Sequence, residues 1–209
     1  MTQHQPPTQV TTIDLLRHGE CQGGEIFRGS TDSPLTPKGR AQMLAAARHK
    51  QAPQPWQHIV TSPLQRCANV ATEIASDLAL QAQPITDFSE IHFGDWEGRF
   101  TNDVAAESPH HIQRFWTDPV NHTPPNGEAL IDFQCRVGAA WQQLLKQHHG
   151  KHTLLITHGG VIRIILAQLL QMPLRPLSFL AVPHGCLSQI KVFHHPGYDD
   201  WPQLIFHNQ

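Results

Sequence analysis

The chain has 209 residues, with 15 Lys and Arg against 17 Asp and Glu and a formal net charge of -2. That length is enough for one domain with a real core, and the near-neutral balance excludes an obvious nucleic-acid or anionic-membrane partner. No charged segment precedes a signal-like apolar stretch and no apolar run could span a bilayer, so a soluble, cytoplasmic protein is expected.

The four cysteines (Cys21, Cys67, Cys135, Cys186) form no CxxC pair, which suits free thiols in a reducing compartment. The sixteen histidines raise the question of a metal site. However, His110-His111, His148-His149 and His194-His195 are adjacent pairs in polar or helix-end contexts. Adjacent residues rarely point at one ion, and no HExxH spacing appears. These pairs read as surface histidines, and no metal site is expected.

In chain order, Met1 to Thr11 is rich in Gln, Pro and Thr and reads as a disordered tail before a single folded unit over 12–209. Ile13-Asp14-Leu15-Leu16 is a short apolar run, a buried strand of an α/β sheet, ending in Arg17-His18-Gly19-Glu20. Chemistry in open α/β sheets gathers beyond the carboxyl ends of strands. Arginine offers a planar fork for phosphate or carboxylate, histidine a nucleophile or base, and glycine a close backbone approach for an anion. Taken alone, this stretch is equally a polar strand end. Cys21 to Ser33 is a Gly-rich loop that can wrap an anion, with Arg28 as a candidate substrate contact. A plain connector is the alternative.

Thr36-Pro37 opens a helix, as cap and first helical residue. His58 to Thr61 is a second strand, and Ser62-Pro63 opens a second helix running to about Leu80. Arg66 falls in its first turn, where it adds to an anion site rather than complementing the helix dipole. Ile85 to Phe88 reads as a weak strand. The segment after it carries Glu90, Asp95 and Glu97, any of which could donate a proton. A polar, Pro-bearing, lid-like excursion with short helices covers about 89–128, and a helix follows over Leu130 to His148. Thr153 to Thr157 then repeats the opening theme, an apolar strand ending in His158-Gly159, before an apolar helix to Leu170. Phe179 to Val182, Leu187 to Phe193 and Leu204 to Phe206 read as strands, with Pro196 to Asp200 as a turn. His184-Gly185 also follows an apolar stretch and reads as a turn at the rim, a possible substrate contact.

Strand ends of a parallel sheet come together at one edge. Arg17, Arg66, His18 and His158 could then surround one dianion. A phosphoryl group fits, because its three equatorial oxygens need positioned donors during transfer. His18 would attack phosphorus, with neighbouring arginines keeping it neutral, and a carboxylic acid at the rim would protonate the leaving alkoxide.

Leu16-Arg17-His18-Gly19-Glu20 resembles the signature of the histidine phosphatase superfamily, which includes phosphoglycerate mutases. Supporting motifs follow in family order: Leu35-Thr36 with Gly39, Ser62 to Arg66, Glu90 before Phe93 to Gly98, and His158-Gly159. The resemblance implies a three-layer α/β/α sandwich around a mostly parallel sheet. It implies that His18 accepts phosphate, that Arg17, Arg66, His158 and Gly159 bind the phosphoryl group, and that Glu90 is the proton donor. It also implies that no metal or organic cofactor is required and that the partner is a small phosphate ester. Within the superfamily, Phe27 to Asp32, Pro124 to Glu128 and His158 to Arg163 are similar to the α-ribazole phosphatases, which implies hydrolysis of α-ribazole 5′-phosphate in cobalamin assembly. The alternatives are a broad sugar-phosphate phosphatase, a phosphoglycerate mutase, and a non-catalytic phospho-ligand module. Two departures stand out: Cys21 replaces the usual Thr or Ser, and Gly24 replaces an Asn that mutases carry. Oligomeric state is left open.

Overall fold

The computed structural model describes residues 9–49, 55–175 and 180–209. Its centre is β1, Gln9–Arg17, whose side chains alternate between two apolar layers. Ile13 and Leu15 enter one core and Leu16 the other. The neighbouring strand β4, His152–Thr157, divides in the same way, with Leu155 on one face and Leu154 and Ile156 on the other. A strand buried on both faces needs a helical layer on each. Helices α1, Pro37–His49, and α2, Gln65–Asp77, cover one side, while α5, Leu130–Gln147, and α6, Gly159–Leu169, cover the other.

The six-stranded sheet has the order β3-β2-β4-β1-β5-β6. Strands β2 (His58–Thr61), β3 (Ala82–Pro84), β4 and β1 are parallel. Strands β5 (Leu187–His194) and β6 (Trp201–His207) add an antiparallel extension beside β1. This is the mostly parallel three-layer sandwich that the resemblance implied. The register fixes the site: Arg17 lies opposite Thr157, and Thr61 opposite Ile156, so three parallel strands end at one level.

Several local expectations are corrected. Residues 1–8 of the expected tail lie outside the described residues, but Gln9, Val10 and Thr11 are part of β1 and pair with His194, Phe193 and Val192. The third strand is Ala82–Pro84 rather than Ile85–Phe88. Pro84 is tolerated there because β3 is an edge strand, and Thr86–Phe88 forms a 3₁₀ turn that buries Phe88. Helix α2 begins at Gln65, two residues after Pro63. Phe179 lies outside the described residues, and Leu180 to Val182 form no strand. Side chains take their carbonyls instead, those of Arg163 on Leu180, His207 on Ala181 and Arg17 on Val182.

Two of the histidines read as surface residues are buried. His148 packs on the His58 ring at 4.4 Å, and His194 lies between the Thr11 hydroxyl and Asp200. Among the described residues there is no cluster of three or more metal-ligating side chains.

The excursion carries α3, Thr101–Glu107, and α4, Pro109–Thr117. A small core of Phe27, Trp96, Val104 and Phe115 pins it over the carboxyl edge of the sheet. Among the described residues no helix is long and apolar enough to cross a membrane.

Candidate active site

His18 follows β1 directly, and its backbone N–H donates to Thr157 of β4 at 2.9 Å. Its ring is buried, with Nδ1 2.8 Å from the carbonyl oxygen of Gly19. A carbonyl only accepts, so Nδ1 carries the hydrogen and Nε2 keeps its lone pair. Burial, then the charges of Arg17 and Arg66, push the His18 pKa well below its ordinary value. The ring is therefore neutral in the form a nucleophile requires. The Cys21 sulfur lies 3.6 Å from the same Nδ1 and 3.5 Å from the same carbonyl, and burial raises its pKa, so it is a thiol filling space on the non-reacting side.

His158 occupies the equivalent position after β4, with its ring centroid 5.3 Å from that of His18. Arg66 Nε donates to its Nδ1 at 3.2 Å, which puts the hydrogen on Nε2, 2.7 Å from the Ser62 hydroxyl oxygen. Burial first, then Arg66, lowers the His158 pKa strongly. Ser62 was legible only as a helix cap. The residue that precedes α2 is instead Leu64, with no side-chain cap, and Ser62 meets His158 because Thr61 pairs beside β4.

Arg66 is fully buried. Besides His158, its guanidinium donates to the carbonyls of Thr31, Arg28 and Gly29. Much of its fork thus folds the 28–31 loop over the site. Arg28 donates through one Nη to Gln22 and Gly24 within its own loop. One Nη of Arg17 holds Val182, and the buried Nε atoms of Arg17 and Arg28 both have no hydrogen-bond partner among the described residues. A buried guanidinium N–H of this kind can donate to an anion's oxygen. A Cβ at Gly159 would stand only 3.3 Å from that Nε and 3.1 Å from Nη1 of Arg163, so glycine is what lets both arginines close on the start of α6. Arg163 had no role in the sequence reading beyond its place in the His158 motif. His184 sits on an exposed turn, its ring 5.5 Å from that of His18, with its pKa lowered by partial burial and by Arg17.

The three candidate carboxylates separate by their bonding. Glu97 accepts the N–H groups of Ser30, Thr31 and Phe93 and the Thr31 hydroxyl. Burial alone would raise its pKa, but these donors reverse the shift and hold it ionised. Asp95 is exposed and bonded to Asn126 at 3.0 Å. Of the three, only Glu90 acts on Arg17, opposing the lowering of the arginine's pKa by burial. Its oxygens accept the N–H groups of Gly160 at 3.0 Å and Ile91 at 3.1 Å, leaving a second lone pair on each. Its backbone is set by Arg136, which donates to the carbonyls of Asp87, Ser89 and Glu90 while paired with Glu128. Arg136 was absent from the sequence reading because its three carbonyl partners lie more than forty residues earlier in the chain. Glu20 pairs with Lys38 and Thr36 and takes no part in the site.

An α/β sandwich that presents a neutral strand-end histidine among buried arginines is built to handle an anion. The chain belongs to the histidine phosphatase superfamily (branch 1), whose sequence model matches residues 13–198. It is a phosphatase. It is similar to the adenosylcobalamin/alpha-ribazole phosphatase of Escherichia coli (strain K12), at 31% identity over 85% of this chain and 88% of that one. It also resembles the glucosyl-3-phosphoglycerate phosphatase of Mycolicibacterium vanbaalenii, at 29% identity over 79% of this chain and 76% of the relative. The crystal structure of the alpha-ribazole phosphatase from Shigella flexneri superposes with a TM-score of 0.81 and 26% identity, covering 95% of this chain and 96% of that chain.

Proposed function

We propose that the protein hydrolyses phosphomonoesters through a phosphohistidine at His18, and that its substrate is α-ribazole 5′-phosphate. The observation that carries the reading is the His18–Gly19 bond, which turns a neutral Nε2 lone pair into the arginine-lined site. Arg17 Nε and the amide end of α6 bind the phosphoryl oxygens. Nε2 attacks phosphorus, the phosphorus–oxygen ester bond breaks, and Glu90 gives its proton to the departing alkoxide. Glu90 then takes a proton from water, the water oxygen attacks phosphorus, the phosphorus–nitrogen bond breaks, and phosphate leaves. His158, locked neutral between Arg66 and Ser62, donates to the transferring group only after releasing Ser62.

The α-ribazole assignment is supported by similarity to phosphatases named for that ester, and it would place the protein in the cytoplasm, late in cobalamin assembly. A second reading, a sugar-phosphate phosphatase, is supported by the similarity to glucosyl-3-phosphoglycerate phosphatases. Phosphate release from α-ribazole 5′-phosphate, glucosyl-3-phosphoglycerate and p-nitrophenyl phosphate, measured with EDTA present, separates the two. A strong preference for the ribazole ester is expected. Comparable weak rates on all three would reject it, and inhibition by EDTA would reject the metal-free mechanism.

A further inference from the structure

A cavity of about 230 Å³ opens beside Glu90, and none of His18, Arg17, Arg66 and His158 lines it. Glu90 and Gly160 form its inner end, Phe93 and Phe133 its walls, and Phe115 and Trp116 of α4 its outer side. A carboxylic acid that protonates a leaving oxygen must reach that oxygen, so whatever the oxygen carries extends past Glu90. Glu90 itself lines the cavity.

Two arginines edge the cavity. Arg163 donates through Nε to Leu180 at 2.9 Å and feels the opposing charge of Glu90. Arg175 lies 4.0 Å from the Asp118 carboxylate. Much of the remaining lining is aromatic carbon. Phe115 is 6% exposed, whereas Trp116 beside it is 51% exposed. The Trp116 ring is nevertheless held, at 4.9 Å from Phe115 and nearly parallel to Phe27. A large, rigid ring held open at the mouth of an apolar cavity is a platform for another ring.

We propose that this cavity is the leaving-group subsite and that Trp116 selects esters whose alcohol carries a planar ring. The proposal rests on the phosphomonoesterase reading above and adds the residue that sets specificity.

The test compares α-ribazole 5′-phosphate with ribose 5-phosphate, which lacks the ring, on wild-type protein, Trp116→Ala and Trp116→Phe. Trp116→Ala should raise KM for the ring ester about tenfold while changing kcat/KM for ribose 5-phosphate by less than about twofold, and Trp116→Phe should restore most of the loss. An equal loss on both esters, or none on the ring ester, overturns the proposal. A second measurement needs no turnover: α-ribazole is titrated against wild type and Trp116→Phe while tryptophan fluorescence is followed. Saturable quenching in wild type that is lost in the variant is expected, and equal quenching in both overturns the proposal. If wild type turns over neither ester, the phosphomonoesterase reading fails, and the fluorescence titration still decides the subsite.

Discussion

The carboxylate of Glu90 accepts the backbone N–H of Gly160 at 3.0 Å, so the candidate proton donor is tied to the first turn of the helix that follows His158. A Cβ at Gly160 would stand 2.2 Å from Glu90 Oε1. The flexible carboxylate would yield rather than the helix. Gly160→Ala should therefore lower the rate on an alkyl phosphate about 100-fold while sparing p-nitrophenyl phosphate, whose leaving group needs no proton. Paired rate measurements with a melting curve check this. Equal losses on both esters would remove Glu90 as donor.

Glu97 serves as a control. Replacing it with Gln puts an NH₂ group against N–H donors that now meet an oxygen, at a cost of about 2 kcal/mol in stability. Urea unfolding measures that loss. The ratio of rates on good and poor leaving groups should stay at its wild-type value, since the change loosens the 28–31 loop without touching a proton donor. A selective loss on poor leaving groups would transfer the donor role to Glu97.

The pH response follows from buried neutral rings. His18, His158 and His148 all have folded pKa values below the ordinary 6.5, with burial the first cause of each. Below pH 6.5 the unfolded chain binds protons that the folded chain refuses, so stability falls as pH drops, until each folded pKa is reached. Melting temperature should decline from pH 7.5 to pH 5. Activity should behave differently, because His18 stays neutral to a pH below the ordinary 6.5. The acid limb of kcat/KM attributable to the nucleophile should lie below 6.5. A limb at the ordinary value would mean that burial and the arginines do not govern His18.

Gly39 carries no functional group, yet its replacement should abolish the site. A Cβ there would meet the Glu20 carbonyl oxygen at 2.0 Å, and one at Gly19 would meet the Gly39 carbonyl oxygen at 2.0 Å. The clash is backbone against backbone and cannot be relieved by a rotamer. Gly39→Ala should cost about 3 kcal/mol or more and carry the 18–20 segment out of register. Denaturation with an assay for the phosphoenzyme checks both effects, and a variant of native stability would refute the argument.

The sequence by itself determined the alternation that buries β1 and β4 on both faces, the capping of α1 by Thr36, and the two strand-end histidines, because these depend on neighbours along the chain. It also determined the set of candidate carboxylates, among which the family resemblance singled out Glu90. Only the tertiary structure decided that Glu97 is consumed by four donors while Glu90 turns toward Arg17. Only it decided that much of Arg66's fork closes a loop, that Ser62 meets His158, and that Leu180 to Val182 forgo a strand. Each of those outcomes is a competition for hydrogen-bond partners brought together by sheet register. A donor or acceptor is claimed by whichever group the fold delivers first in distance, not by its neighbour in sequence.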